Sequence, residues 1–144
     1  LALQCCRVSD PSHRREADVV KRAGIKTIGL CASVTTVQTR LYGGACSRRG
    51  IEVLTPDAAG QTLVNEVIEA VMSGVYGDEE LLKLKSIILR LQANDADGVI
   101  LGCTELPLAI NQKWTDVPLF DSLQILAENT VERAYGMHPH HMAF

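Results

Sequence analysis

From residue 21 onward, short apolar runs of strand length alternate with stretches whose apolar positions recur every three or four residues. That alternation is the pattern of βαβ units feeding a parallel sheet. Residues 26–30 form the first β-rich run, Lys-Thr-Ile-Gly-Leu. A helix is expected over 35–48, opened by the hydroxyl of Ser33, Thr35 or Thr36 and closed at Gly50, with Gly43-Gly44 marking a bend or close packing inside it. Residues 51–54 read as the second strand, ended by Thr55-Pro56-Asp57. Val64, Val67, Ile68 and Val71 then fall at i, i+3, i+4 and i+7, which places one buried stripe on a helix over about 60–73.

A break at 74–77 ends that helix, and Asp78 with Glu79 and Glu80 supplies the next with a cap and an acidic first turn. Leu81, Leu84, Ile88 and Leu91 form its core face. The run Gly98-Val99-Ile100-Leu101 is uniformly apolar, as expected of a strand buried on both faces in mid-sheet. A short helix through Leu108, a last strand over 117–120 and a helix from Asp121 or Ser122 to Tyr135, stopped by Gly136, complete the pattern. The first fifteen residues carry no clean period and an adjacent Cys5-Cys6 pair. Residues 1–17 are therefore read as an atypical N-terminal remnant, 18–136 as the folded domain and 137–144 as a flexible tail.

At 144 residues, with 47% hydrophobic and 22% charged side chains, the chain has room for one core and the composition to build it. The 14 basic and 17 acidic residues leave a net charge of −3, with neither sign gathered into a block. Nucleic acid and anionic membrane are thus excluded as expected partners. No apolar run approaches the roughly 20 residues of a spanning helix, no secretory leader pattern opens the chain, and a cytoplasmic protein is expected. The five cysteines are odd in number and contain no CxxC pair, so they read as reduced thiols and not as a disulfide or zinc framework. His138, His140 and His141 lie past Gly136 and beside Pro139, where they hold no fixed geometry. No metal site is expected.

In open α/β sheets ligands bind outside the carboxyl ends of the strands, where backbone N–H groups converge. Two loops qualify: Cys31-Ala32-Ser33-Val34-Thr35-Thr36, and Gly102-Cys103-Thr104-Glu105. Gly102 permits close backbone approach, and Cys103 stands just before a helix, a setting expected to favour its thiolate. Thr104 adds a hydroxyl suited to a carboxylate. Glu105 is either a first-turn acid complementing the helix dipole or a group orienting the thiol.

The string Gly98-Val99-Ile100-Leu101-Gly102-Cys103-Thr104-Glu105-Leu106-Pro107-Leu108 resembles the second catalytic motif of the aspartate/glutamate racemase superfamily. Residues 26–42 resemble the segment that opens the family's second lobe, with Ala32-Ser33, Thr36 and Tyr42 at its matching positions. Val117-Pro118-Leu119-Phe120-Asp121 resembles its final strand. The likeness implies a three-layer α/β sandwich with a parallel sheet of about four strands, one lobe of a two-lobed racemase. It implies no cofactor: one thiolate removes the α-proton of a small amino acid and a second thiol returns it from the opposite face.

Carried over, Cys103 matches the second catalytic thiol, Thr104 the neighbouring carboxylate-binding residue, and Ser33 with Thr36 the substrate-binding hydroxyls. Cys31-Ala32-Ser33 stands where the family has Leu-Gly-Thr. The Cys-Asn-Thr motif of the family's first thiol does not occur, and Met72 stands where aspartate-preferring members often carry Lys. The expectation is therefore a racemase-type chain, truncated and lacking the first catalytic cysteine. The alternatives are an inactive remnant, a small-carboxylate-binding domain, or an enzyme that protonates a carbanion from one Cys, as decarboxylases of the superfamily do. The ligand is a small amino or carboxylic acid. The last helix should expose Leu123, Leu126 and Val131 where a first lobe would pack, with a homodimer as one way to cover them.

Overall fold

The computed structural model describes residues 11–136. Four parallel strands, β1 (Thr27–Cys31), β2 (Glu52–Leu54), β3 (Gly98–Leu101) and β4 (Leu119–Asp121), form one sheet in the order β2-β1-β3-β4. Before β1 lies α1 (Pro11–Arg22); α2 (Val34–Gln38) and α3 (Leu41–Ser47) link β1 to β2. The connection from β2 to β3 is a helical hairpin, α4 (Ala58–Ser73) and α5 (Asp78–Ala93). A short α6 (Leu106–Ala109) and a 3-10 turn (Gln112–Trp114) lead to β4, and α7 (Ser122–Tyr135) follows it.

Alternation along the strands divides the core in two. Cys31, Val99 and Leu101 point into a cluster with Val64, Val67, Ile68 and Val71 of α4 and Leu84, Ile87, Ile88 and Leu91 of α5. Ile28, Leu30, Ile100 and Phe120 point the other way, onto Ala17 and Val20 of α1, Tyr42, Ala45 and Cys46 of α3 and Ile125 of α7. The sheet thus lies between α1, α3 and α7 on one face and α4, α5 and α6 on the other, the expected three-layer α/β sandwich. Gly98 has to be small, because a Cβ there would lie 2.9 Å from the Phe120 ring and 3.2 Å from the Pro118 carbonyl.

The helix ends follow from local chemistry. Asp57 caps α4 by accepting from the Gly60 N–H at 2.7 Å, and Gly74, at φ 77°, stops it in the left-handed region that only glycine enters freely. Ahead of α5 the Gly77 N–H donates to Glu80 at 2.8 Å, so Asp78 is the first helical residue and not the cap.

Two segments depart from the pattern reading. The single helix expected over 35–48 is divided, with Arg40 at φ 52° between α2 and α3. No residue of α2 is buried, whereas Tyr42, Ala45 and Cys46 of α3 are; the break turns that second face onto the core. Gly43 and Gly44 lie past the break, inside α3, and are not closely packed, since a Cβ on either would meet only ordinary contacts at 3.8 and 3.7 Å. The second departure is α1, which begins at Pro11 within the stretch that shows no period and continues past residue 17. Its buried residues, Glu16, Ala17 and Val20, include a carboxylate, which breaks the apolar stripe a periodicity reading needs. Cys5, Cys6 and residues 137–144 lie outside the described residues.

Candidate functional site

The chain leaves β1 toward β2 on one side and arrives at β3 across the sheet, so its direction of winding reverses between β1 and β3. Such a switch point opens a crevice at the carboxyl ends of the two strands. The loops after β1 and β3 meet there. The Gly102 N–H donates to the Cys31 carbonyl at 2.8 Å, and a Cβ on Gly102 would come within 3.1 Å of the Ala32 Cβ and 3.3 Å of the Tyr42 hydroxyl.

Ser33 caps α2, accepting from the Thr36 N–H at 3.3 Å, and its hydroxyl lies 3.1 Å from that of Thr36. Three residues of separation across the start of a helix bring these two oxygens together. Cys103 is half-buried, and its thiol donates to Glu105 Oε2 at 3.1 Å. The Ser33 backbone N–H is near enough to the same sulfur to favour its thiolate weakly, so Cys103 and Glu105 lie beside the Ser33–Thr36 turn. Thr104 is exposed, with its hydroxyl directed to Glu105.

The electrostatics reverse the expectation of a ready thiolate at Cys103. Burial pushes the thiol up to about 11, and the hydrogen bond to Glu105 with that carboxylate's charge adds to the effect; the N–H groups of Glu105 and Ser33 oppose it too weakly. The helix that was to supply a dipole, α6, has only four residues. Cys103 therefore rests as a thiol. Glu105 is held below the usual carboxylate range, chiefly by the Cys103 hydrogen bond, with burial acting against it. The other described thiols are inert by position: Cys31 and Cys46 are completely buried. Among the described residues no group of three or more metal-ligating side chains converges, and no helix is long and apolar enough to cross a membrane.

The Asp/Glu/Hydantoin racemase family model matches residues 16–130. The chain belongs to that family. It is 36% identical over 116 residues to an uncharacterized protein in the pnlA 3′ region of Pectobacterium carotovorum subsp. carotovorum, a match covering 78% of this chain and 76% of that protein. A candidate Asp/Glu racemase from Yersinia pestis superposes with a TM-score of 0.79 at 32% identity, over 85% of this chain and 54% of that one. An aspartate racemase homologue from Pyrococcus horikoshii OT3 gives 0.76 at 30% identity, again over 85% and 54%. The chain thus spans about half the length of these two solved relatives.

Pattern reading missed Glu16. Its one signal was a carboxylate next to Ala17 and four residues before Val20, on the face that turns inward.

Proposed function

We propose that this chain carries one half of an amino-acid racemase site, with Cys103 as the acid/base group on one face of the substrate's Cα. The observation behind this reading is the Cys103 thiol donating to Glu105 at 3.1 Å beside the Ser33 N–H, at the switch point of the sheet. As a thiol, Cys103 can donate its proton to a carbanion generated at Cα. To work in the opposite direction it must first lose that proton to solvent, since Glu105, held below the usual carboxylate range, accepts the thiol's hydrogen bond but is too weak a base to take its proton. The hydroxyls of Ser33, Thr36 and Thr104 are suited to a carboxylate. Among the described residues no second thiol faces the site, since Cys31 and Cys46 are buried. Inversion therefore needs a partner group from elsewhere, whereas exchange of the α-proton on one face needs Cys103 alone.

The test is an NMR time course with L-aspartate or L-glutamate in D2O. Slow deuterium incorporation at Cα with retention is expected, abolished by Cys103→Ala and unchanged by Cys5→Ala or Cys6→Ala. Build-up of the D-enantiomer dependent on Cys5 or Cys6 would show that the partner thiol is present after all. A second reading draws on the protonated thiol: Cys103 could deliver its proton to the carbanion left when a malonate-type acid loses CO2. Release of CO2 from such an acid, with no exchange of amino-acid α-protons, would favour it.

A further inference from the structure

The Ser33 turn carries two of the hydroxyls beside Cys103, yet packing does not hold it in place. Helix α2, which the turn opens, buries none of its residues. The backbone just before it is held instead at two successive carbonyls. The Cys31 carbonyl accepts from the Gly102 N–H at 2.8 Å, a bond from the loop that carries the thiol. The Ala32 carbonyl accepts from Gln61 Nε2 at 2.9 Å, a bond from the first turn of α4. Ala32 is fully buried and lies past the ladder that pairs Cys31 with Leu101, so its carbonyl needs a donor from outside the sheet.

Gln61 is itself fixed. Its Nε2 also donates to Asn65 Oδ1 at 3.1 Å, one helical turn further along α4, so both of its N–H groups are engaged. Its Oε1 is buried with no hydrogen-bond partner among the described residues. Turning the amide over would set that oxygen against the Ala32 carbonyl, acceptor against acceptor. Gln61 thus leaves a buried acceptor unanswered while both donors are used, an arrangement that points to donation as its purpose. Both α4 and Cys103 pack on the same hydrophobic cluster, which puts this clamp on the thiol's side of the sheet.

We infer that Gln61, braced by Asn65, is a positioning residue that fixes the Ser33 and Thr36 hydroxyls beside Cys103 by holding the Ala32 carbonyl. The two hydroxyls lie 3.1 Å apart at the start of α2, directly after the clamped residue. Their use for a substrate carboxylate rests on the proposed function; the clamp does not.

Two measurements on the whole chain test it. The first is the NMR order parameter of the backbone N–H groups over Ser33–Val37, expected near 0.85 in the wild type and below about 0.6 in Gln61→Leu. The second is α-proton exchange with L-aspartate in D2O. Loss of a carboxylate-binding geometry should raise the half-saturating concentration about tenfold and leave the maximal rate within about twofold, because Cys103 and Glu105 are untouched. Gln61→Glu keeps the size and loses the donors, so it should behave like Gln61→Leu; a wild-type result there would mean that bulk and not donation matters, and would overturn the inference. Val71→Ala, a cavity elsewhere in α4, should lower the melting temperature and move neither readout. Unmoved order parameters in a folded Gln61→Leu overturn the clamp, and looser order parameters with unchanged half-saturation overturn its role in the site. If Gln61→Leu does not fold, Asn65→Ala decides, with smaller shifts in the same direction. A wild type that exchanges no α-proton overturns the proposed function, and the order parameters then judge the clamp alone.

Discussion

At Cys103 two physical effects compete, and their magnitudes decide the resting chemistry. Backbone N–H groups favour thiolate, but partial burial and an acidic neighbour two residues away favour thiol, and the latter win. Glu105→Gln removes the charge and keeps the size, so the Cys103 midpoint should fall from about 11 toward the ordinary 9.0 without reaching it, because burial, the larger cause, remains. A fall of about one unit makes Cys103 about tenfold more reactive toward iodoacetamide at pH 8; an unchanged pH profile would remove Glu105 from the thiol's surroundings. The place of this residue at a strand end, two positions before an acid, was readable from the string Gly102-Cys103-Thr104-Glu105, since a small residue followed by a thiol there is a local pattern. Its protonation state was not. That depends on Ser33 and on enclosure by the neighbouring loop, contacts set by the fold and not by adjacent residues.

The elements were readable in proportion to how regularly they bury one face. Helix α4 carries Val64, Val67, Ile68 and Val71 in a single stripe, and the structure buries all four. Strand β3 is apolar throughout and buried throughout. By contrast α1 places Glu16 among its buried positions, and the helix pair after β1 turns at Arg40, a residue with no special turn propensity, because tertiary packing of Tyr42 outweighs local preference. Gly98 offers a test of packing at this scale. Gly98→Ala would drive a Cβ to within 2.9 Å of the Phe120 ring and 3.2 Å of a backbone carbonyl, and should cost about 1–3 kcal/mol in urea unfolding. Asp57→Ala, which strips the α4 cap, should cost about 1 kcal/mol. If Gly98→Ala proved the milder of the two, the close approach between β3 and β4 would be looser than the described distances.

For the molecule as a whole, the buried thiols make stability depend on alkaline pH. Cys31 is pushed up to about 12 and Cys46 to about 11, in both cases mainly by burial, against an ordinary value of 9.0. A folded-state value above the unfolded one means that the folded protein holds the proton more tightly; this contribution is whole below pH 9 and is lost as pH rises from 9 through about 11 to 12. Melting temperature should therefore decline steeply above pH 9, and less steeply in Cys31→Ala.

The last helix supplies the other property of the whole. In α7 only Ile125 is buried, while Leu123, Leu126, Val131 and Tyr135 are 48, 44, 46 and 74% exposed. At 3.6 residues per turn these four spread over about half the helix circumference, too wide for solvent contact to be incidental. The two solved relatives above are nearly twice as long as the region they share with this chain, so a face left open here has more protein available to cover it there. We expect the isolated chain to cover it with itself. Sedimentation velocity should show association that grows with concentration. A Leu126→Glu, Val131→Lys double variant, altering two positions already in contact with water, should shift the protein toward monomer with no change in circular dichroism. A wild-type chain that stayed monomeric and well folded at every concentration would mean that this half of the fold tolerates its open face in water.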